Sequence, residues 1–141
     1  MMSGFWRQWI AAWRLSVAGF GLVLAAGAFE ATSGPVRIIF ALVGEAPPAE
    51  MSDPLRFSIA LMGAVTLGWW LTLEAAFKAI DLLGDRAAPV WRGVTVSVVG
   101  WYVIDGALSA ATGYALNILP NTLLLVGYLV PVLATGVMRR G

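Results

Sequence analysis

Apolar positions along this chain fall into long blocks, each bounded by charge or by proline and glycine. Leu15 to Phe29 carries no charge; counted from Trp9, it is long enough to cross a bilayer, which takes roughly 20 apolar residues. Leu55 to Ile80 is a second block, its charge-free centre Phe57 to Leu73 lying between Arg56 and Glu74. Trp91 to Gly113 is a third. The uncharged run from Gly106 to Met138 is too long for one crossing, and Asn117, Pro120 and Asn121 interrupt it. The pattern therefore predicts a tight hairpin and a fourth span from about Asn121 to Met138. The expected fold is all-α: a polytopic membrane protein, one four-transmembrane-helix bundle over residues 1–141.

The connections carry their own signals. Trp6, Trp9 and Trp13 share one helical face beside Arg7 and Arg14, which suits an interfacial lead-in to the first span. A cleaved signal peptide is the rival reading of this end, with Ala26-Gly27-Ala28 as the small-residue cleavage site. Between Glu30 and Asp53, Pro35 to Gly44 reads as a short helix, proline in its first turn and glycine as terminator. Ten residues rise about 15 Å, half a bilayer, so this helix is expected to lie at the outer interface. Pro47-Pro48 straightens the chain, and Ser52 or Asp53 caps the second span. Asp81 to Pro89 reads as a short polar loop, and Glu74 with Lys78 as an i, i+4 pair. Ala60, Ala64 and Gly68 form a small-residue stripe suited to close helix packing within the monomer. Pro131 cannot donate to Gly127 and predicts a kink.

Composition sharpens this picture. Of 141 residues, 60% are hydrophobic and 12% charged, about half the charge of a typical soluble domain. A chain of this size cannot cover that much apolar surface around one aqueous core, so lipid is the expected solvent. A net charge of +1 gives no electrostatic case for nucleic acid. Without cysteine or histidine, thiol nucleophiles, thiolate metal sites, imidazole ligands and Ser-His dyads are all excluded. No cofactor or metal is expected. With four spans, Arg7, Arg14, Lys78, Arg86, Arg92, Arg139 and Arg140 fall on one side, against Arg37 and Arg56 on the other. The positive-inside rule then puts both termini in the cytoplasm.

Asp105 is the costliest residue in the pattern. A carboxylate at the centre of a membrane helix costs about 2.5–3.5 kcal/mol on insertion scales. Tyr102, Ser109 and Thr112 share its helical face, which must turn inward or toward a water-filled cavity. By depth, Arg56 is the cation expected nearest to it. The same depth argument pairs Arg14 with Glu74 and Glu30 with Arg56 as candidate interhelical ion pairs. The Asp105 face reads either as a structural fastener between helices or as a protonatable site opening outward.

The layout resembles a known family. Four spans, a short apolar helix in the first outer loop (PVRIIFALVG), and an arginine-led second span rich in small residues (PLRFSIALMGAVTLGWW) look like the small DoxX-like bacterial membrane proteins. The resemblance covers the whole chain and implies a four-helix bundle in a bacterial inner membrane, acting as a helper subunit. It assigns no catalytic residue. The leading expectation is thus a non-enzymatic accessory or oligomeric membrane subunit, its partners the bilayer and either further copies of itself or a larger membrane complex. A proton, cation or small-solute transporter or channel using Asp105 is the alternative. A lipid- or quinone-directed enzyme, with Asp105 and Tyr102 as acid–base partners, is a third.

Overall fold

The computed structural model describes residues 2–44 and 50–139. Those residues are helical and contain no strand. Five α-helices follow in order: α1 (Gly4–Ala26), α2 (Gly34–Leu42), α3 (Asp53–Leu83), α4 (Ala88–Ala111) and α5 (Ile118–Thr135). Short 3-10 turns occupy Glu30–Thr32, Gly84–Arg86 and Ala115–Asn117. With the adjoining turns counted, four helical segments are long and apolar enough to cross a membrane: Gly4–Ala26, Asp53–Arg86, Ala88–Ala111 and Ala115–Thr135. Pro47-Pro48 and Arg140 lie outside the described residues.

Several boundaries differ from the pattern reading, each for a local reason. The aromatic N-terminal stretch is the first half of α1, which begins at Gly4. The expected loop from Asp81 to Pro89 shrinks to one 3-10 turn, because α3 runs on to Leu83 and Pro89 sits in the first turn of α4. Proline is tolerated there, where its missing N–H would have no helical partner. Gly136, at φ 61°, ends α5 in the left-handed conformation that glycine adopts without strain.

The chain forms two compact units. The first comprises Met1–Arg14 and Thr72–Gly141; the second is Leu15–Leu71. In the first, Tyr128 on α5 is fully buried. Its ring lies 5.1 Å from that of Trp13, and its hydroxyl is 2.9 Å from Thr95 Oγ1 on α4. Trp13 is also buried and donates its indole N–H to the Leu124 carbonyl at 2.9 Å. This tryptophan is therefore part of the core. Pro131, lacking an N–H, leaves the Gly127 carbonyl without its helical donor. Trp9 supplies one instead, its indole N–H donating to Gly127 O at 2.7 Å.

In the second unit, Leu24, Val36, Met51 and Ile59 form a buried cluster, with Phe40 and Leu55 packed against it. Here α1 and α3 touch through backbone. A Cβ added at Gly63 would lie 2.3 Å from the Ala25 nitrogen and 2.7 Å from its Cα. One at Gly27 would lie 2.8 Å from Ile59 Cγ2, and one at Gly21 3.0 Å from Leu67 Cγ. The packing seam on α3 is thus Ile59, Gly63 and Leu67, at four-residue spacing. This corrects the expected stripe: Ala64 and Gly68 are exposed, and a Cβ at Gly68 would meet nothing within 4 Å. Both stripes have helical period; the seam mixes sizes because glycine on one helix faces a large side chain on the other.

Two glycine-to-alanine variants on α3 separate these faces. Alanine gains about 1 kcal/mol of helix propensity over glycine at either position. At Gly63 the new methyl must displace backbone, and overpacking of that kind costs about 1–3 kcal/mol or more. Gly63→Ala is expected to lower the thermal unfolding temperature in detergent, while Gly68→Ala leaves it unchanged or raises it. Equal behaviour of the two variants would refute this seam.

Candidate functional site

Asp105 lies on α4, two turns before its end. The helix stops at Ala111, and Gly113, at φ 89°, turns the chain while the Tyr114 N–H donates back to the Ser109 carbonyl at 2.8 Å. The hairpin that follows is symmetric about Gly113. Asp105 and Asn121 stand eight residues to either side, and Ser109 and Asn117 four to either side. Four-residue steps keep each pair on one helical face, so α4 presents Asp105 and Ser109 to Asn117 and Asn121.

One carboxylate oxygen collects three donors. Asp105 Oδ1 accepts from Asn121 Nδ2 at 2.5 Å, Asn117 Nδ2 at 3.0 Å and Ser109 Oγ at 3.3 Å. Asn117 Nδ2 also donates to Ser109 Oγ at 3.0 Å. Asn117 occupies the N-cap position of α5, where asparagine usually bonds its own helix, yet it makes no such cap. Its amide turns to α4 instead. Oδ2 of Asp105 takes no hydrogen bond among the described residues, and the side chain is only part-buried.

Three of the residues expected around Asp105 are engaged elsewhere. The Tyr102 hydroxyl lies 2.9 Å from Thr122 Oγ1, which donates to the Ile118 carbonyl. One turn before Asp105, the long phenol reaches past Asn121 to the next residue of α5. No Tyr102–Asp105 acid–base pair is assembled. Thr112 is exposed at the C-cap of α4 and returns its hydroxyl to the Leu108 carbonyl at 2.8 Å, because the chain has already begun to turn. Arg56 donates through Nε to the Met51 carbonyl at 3.1 Å and pairs with Glu30 inside its own unit.

The charged residues form two groups. In the first unit, Arg14 NH1 meets Glu74 Oε2 at 3.0 Å, and the Arg14 guanidinium lies 4.7 Å from the centroid of the Phe77 ring. Glu74 thus turns to α1 rather than along its own helix to Lys78. In the second unit, Glu30 takes Arg37 NH2 on one oxygen at 2.8 Å and Arg56 NH2 on the other. The three residues join the turn after α1 to α2 and the start of α3. Chiefly the Arg56 hydrogen bond, and then the Arg37 charge, hold the Glu30 carboxyl below its ordinary 4.5 against partial desolvation.

Asn117 and Asn121 are the site members that sequence reading missed. They entered it only as a turn signal. They are the chain's only asparagines, and their mirror positions about Gly113 were a usable cue. Arg37 was likewise not assigned to the Glu30 pair. Comparison with protein-family models, curated proteins and solved structures returned no match.

Two measurements follow. Asn121→Leu removes the shortest donor and leaves a carboxylate oxygen short of a partner, at a cost of about 1–3 kcal/mol in unfolding free energy. Replacing both partners in Asp105→Leu/Asn121→Leu should cost less than the two single losses together, since matched apolar replacement can be nearly neutral. Strict additivity would show that the contact carries no coupling. For Glu30, a lowered folded pKa means its stabilising contribution is present above the unfolded value of 4.5 and is lost as pH falls through the folded one. The wild-type melting temperature should therefore fall more steeply below pH 4.5 than that of Glu30→Gln. Parallel curves would contradict it.

Proposed function

We propose that this chain is a four-span integral membrane protein of a bacterial inner membrane, both termini cytoplasmic, acting as a non-enzymatic accessory or oligomeric subunit. The apolar faces support insertion: Leu22, Val65, Val103, Leu123 and Leu133 are each between 58% and 69% exposed, on helices of spanning length. Water is a poor solvent for such faces and lipid a good one. The DoxX-like layout and the one-sided distribution of lysine and arginine support the compartment and the orientation.

The observation that carries the functional reading is the occupancy of Asp105. A carboxylate engaged by Ser109, Asn117 and Asn121 fastens α4 to α5. Each such bond is worth on the order of 1 kcal/mol net, so three offset a burial cost of about 3 kcal/mol. The polar face then serves the hairpin, and further copies or a partner subunit meet the protein through its lipid-facing helices. A second reading rests on Asp105 Oδ2, which the donors leave open. In that reading Asp105 is the titrating group of a proton or cation pathway.

Reconstituted liposomes separate the two. On the fastener reading, the wild type and Asp105→Asn both give proton and cation flux at the level of empty vesicles, while Asp105→Asn alters melting temperature. Flux that the wild type supports and Asp105→Asn abolishes would overturn it. Orientation is checked on the naturally cysteine-free chain. A membrane-impermeant maleimide should label Thr112→Cys from outside intact cells and leave Ser3→Cys untouched.

A further inference from the structure

A cavity of about 360 Å³ lies in the first unit, at the end remote in sequence from the Asp105 hairpin. Arg7 and Arg14 of α1 contribute cations to its wall; Asp81 and Asp85, at and after the end of α3, contribute anions. Phe77 and Trp91 give it an apolar side, their rings edge to face at 5.3 Å. The volume is within the range of small-ligand pockets, about 300–1,000 Å³.

Two of its charged side chains have no partner among the described residues. The side chains of Arg7 and Asp81 make no hydrogen bond or ion pair among the described residues. Arg14 gives NH1 to Glu74, but its Nε is buried without an acceptor. A free guanidinium, a free carboxylate and an apolar wall describe one chemistry. The ligand has an anionic acceptor group, a cationic donor group and a hydrocarbon portion. On the orientation given above, Arg7 and Arg14 put this cavity at the cytoplasmic headgroup level.

We propose that this cavity binds the headgroup of a phospholipid carrying both a phosphate and a primary ammonium, that is, an ethanolamine phospholipid. The phosphate is held by Arg7, with the charge of the Arg14 guanidinium beside it, guanidinium being the side chain best matched to phosphate oxygens. The ammonium donates to Asp81. The glycerol and first methylenes lie on Phe77 and Trp91. A glycerol headgroup brings no cation to Asp81, and a choline headgroup has no N–H to donate. The inference rests on the membrane reading above.

The test uses the full chain in detergent, with native mass spectrometry and an equimolar mixture of ethanolamine, glycerol and choline phospholipids of identical acyl chains. The ethanolamine lipid should be retained about tenfold over either competitor, the ratio one charge-assisted hydrogen bond supplies. Asp81→Asn should erase the preference over choline lipid. Arg7→Gln should weaken all three lipids, and Arg7→Lys should restore them. Both positions are exposed and unpaired, so helix content by circular dichroism should be unchanged. Equal retention of the three lipids, or a preference that survives Asp81→Asn, would overturn the site and leave the membrane reading intact. Release of the chain from native membranes by alkaline carbonate would overturn both.

Discussion

Polar groups on apolar helices have to find partners inside the protein, and much of this structure follows from how they do. Where water is scarce, an unpaired carbonyl or carboxylate costs several kcal/mol, comparable with the whole stability of a small domain. Asp105 meets the constraint through the α4–α5 hairpin. The antiparallel return about Gly113 brings Ser109, Asn117 and Asn121 onto one of its oxygens. Asn117 leaves its own helix uncapped to do so, which shows which demand dominates locally.

The same constraint explains the aromatic start of α1. Pro131 breaks the ladder of α5 and frees the Gly127 carbonyl, and the Trp9 indole takes it. One turn on, Trp13 donates to Leu124 and packs its ring on Tyr128, whose hydroxyl meets Thr95. A proline that would be a defect on an isolated helix becomes the docking point for another helix. Tryptophan serves because it joins a large apolar surface to a single N–H. Arg14 follows in the same helix, with Glu74 on one side and the Phe77 ring on the other.

The second unit relies more on shape. Gly63 lets the backbones of α1 and α3 meet, and Gly21 and Gly27 receive Leu67 and Ile59. Such close contact gains dispersion attraction along the whole seam. At the end of this seam Glu30 gathers Arg37 and Arg56, tying α2 to the helices it leans on. With Glu30 exposed to solvent, that cluster contributes geometry more than energy.

The sequence alone determined the number and apolar character of the helices and placed each to within a few residues. Block length and the placing of charge, proline and glycine are local properties, legible without knowing any contact. It also ranked Asp105, Arg14, Glu74, Glu30 and Arg56 as residues needing partners, because cost depends on residue type and depth. Depth along the helices also paired Arg14 with Glu74 and Glu30 with Arg56, while the partners of Asp105 and the joining of Arg37 to Glu30 were tertiary decisions. Asp105 took Asn117 and Asn121 rather than Tyr102 or Thr112, because hairpin register, not helical phase alone, sets what faces it. The seam on α3 ran through Gly63 rather than Gly68 for the same reason. Two stripes of equal period are equivalent on one helix, and only the neighbouring helix breaks the tie.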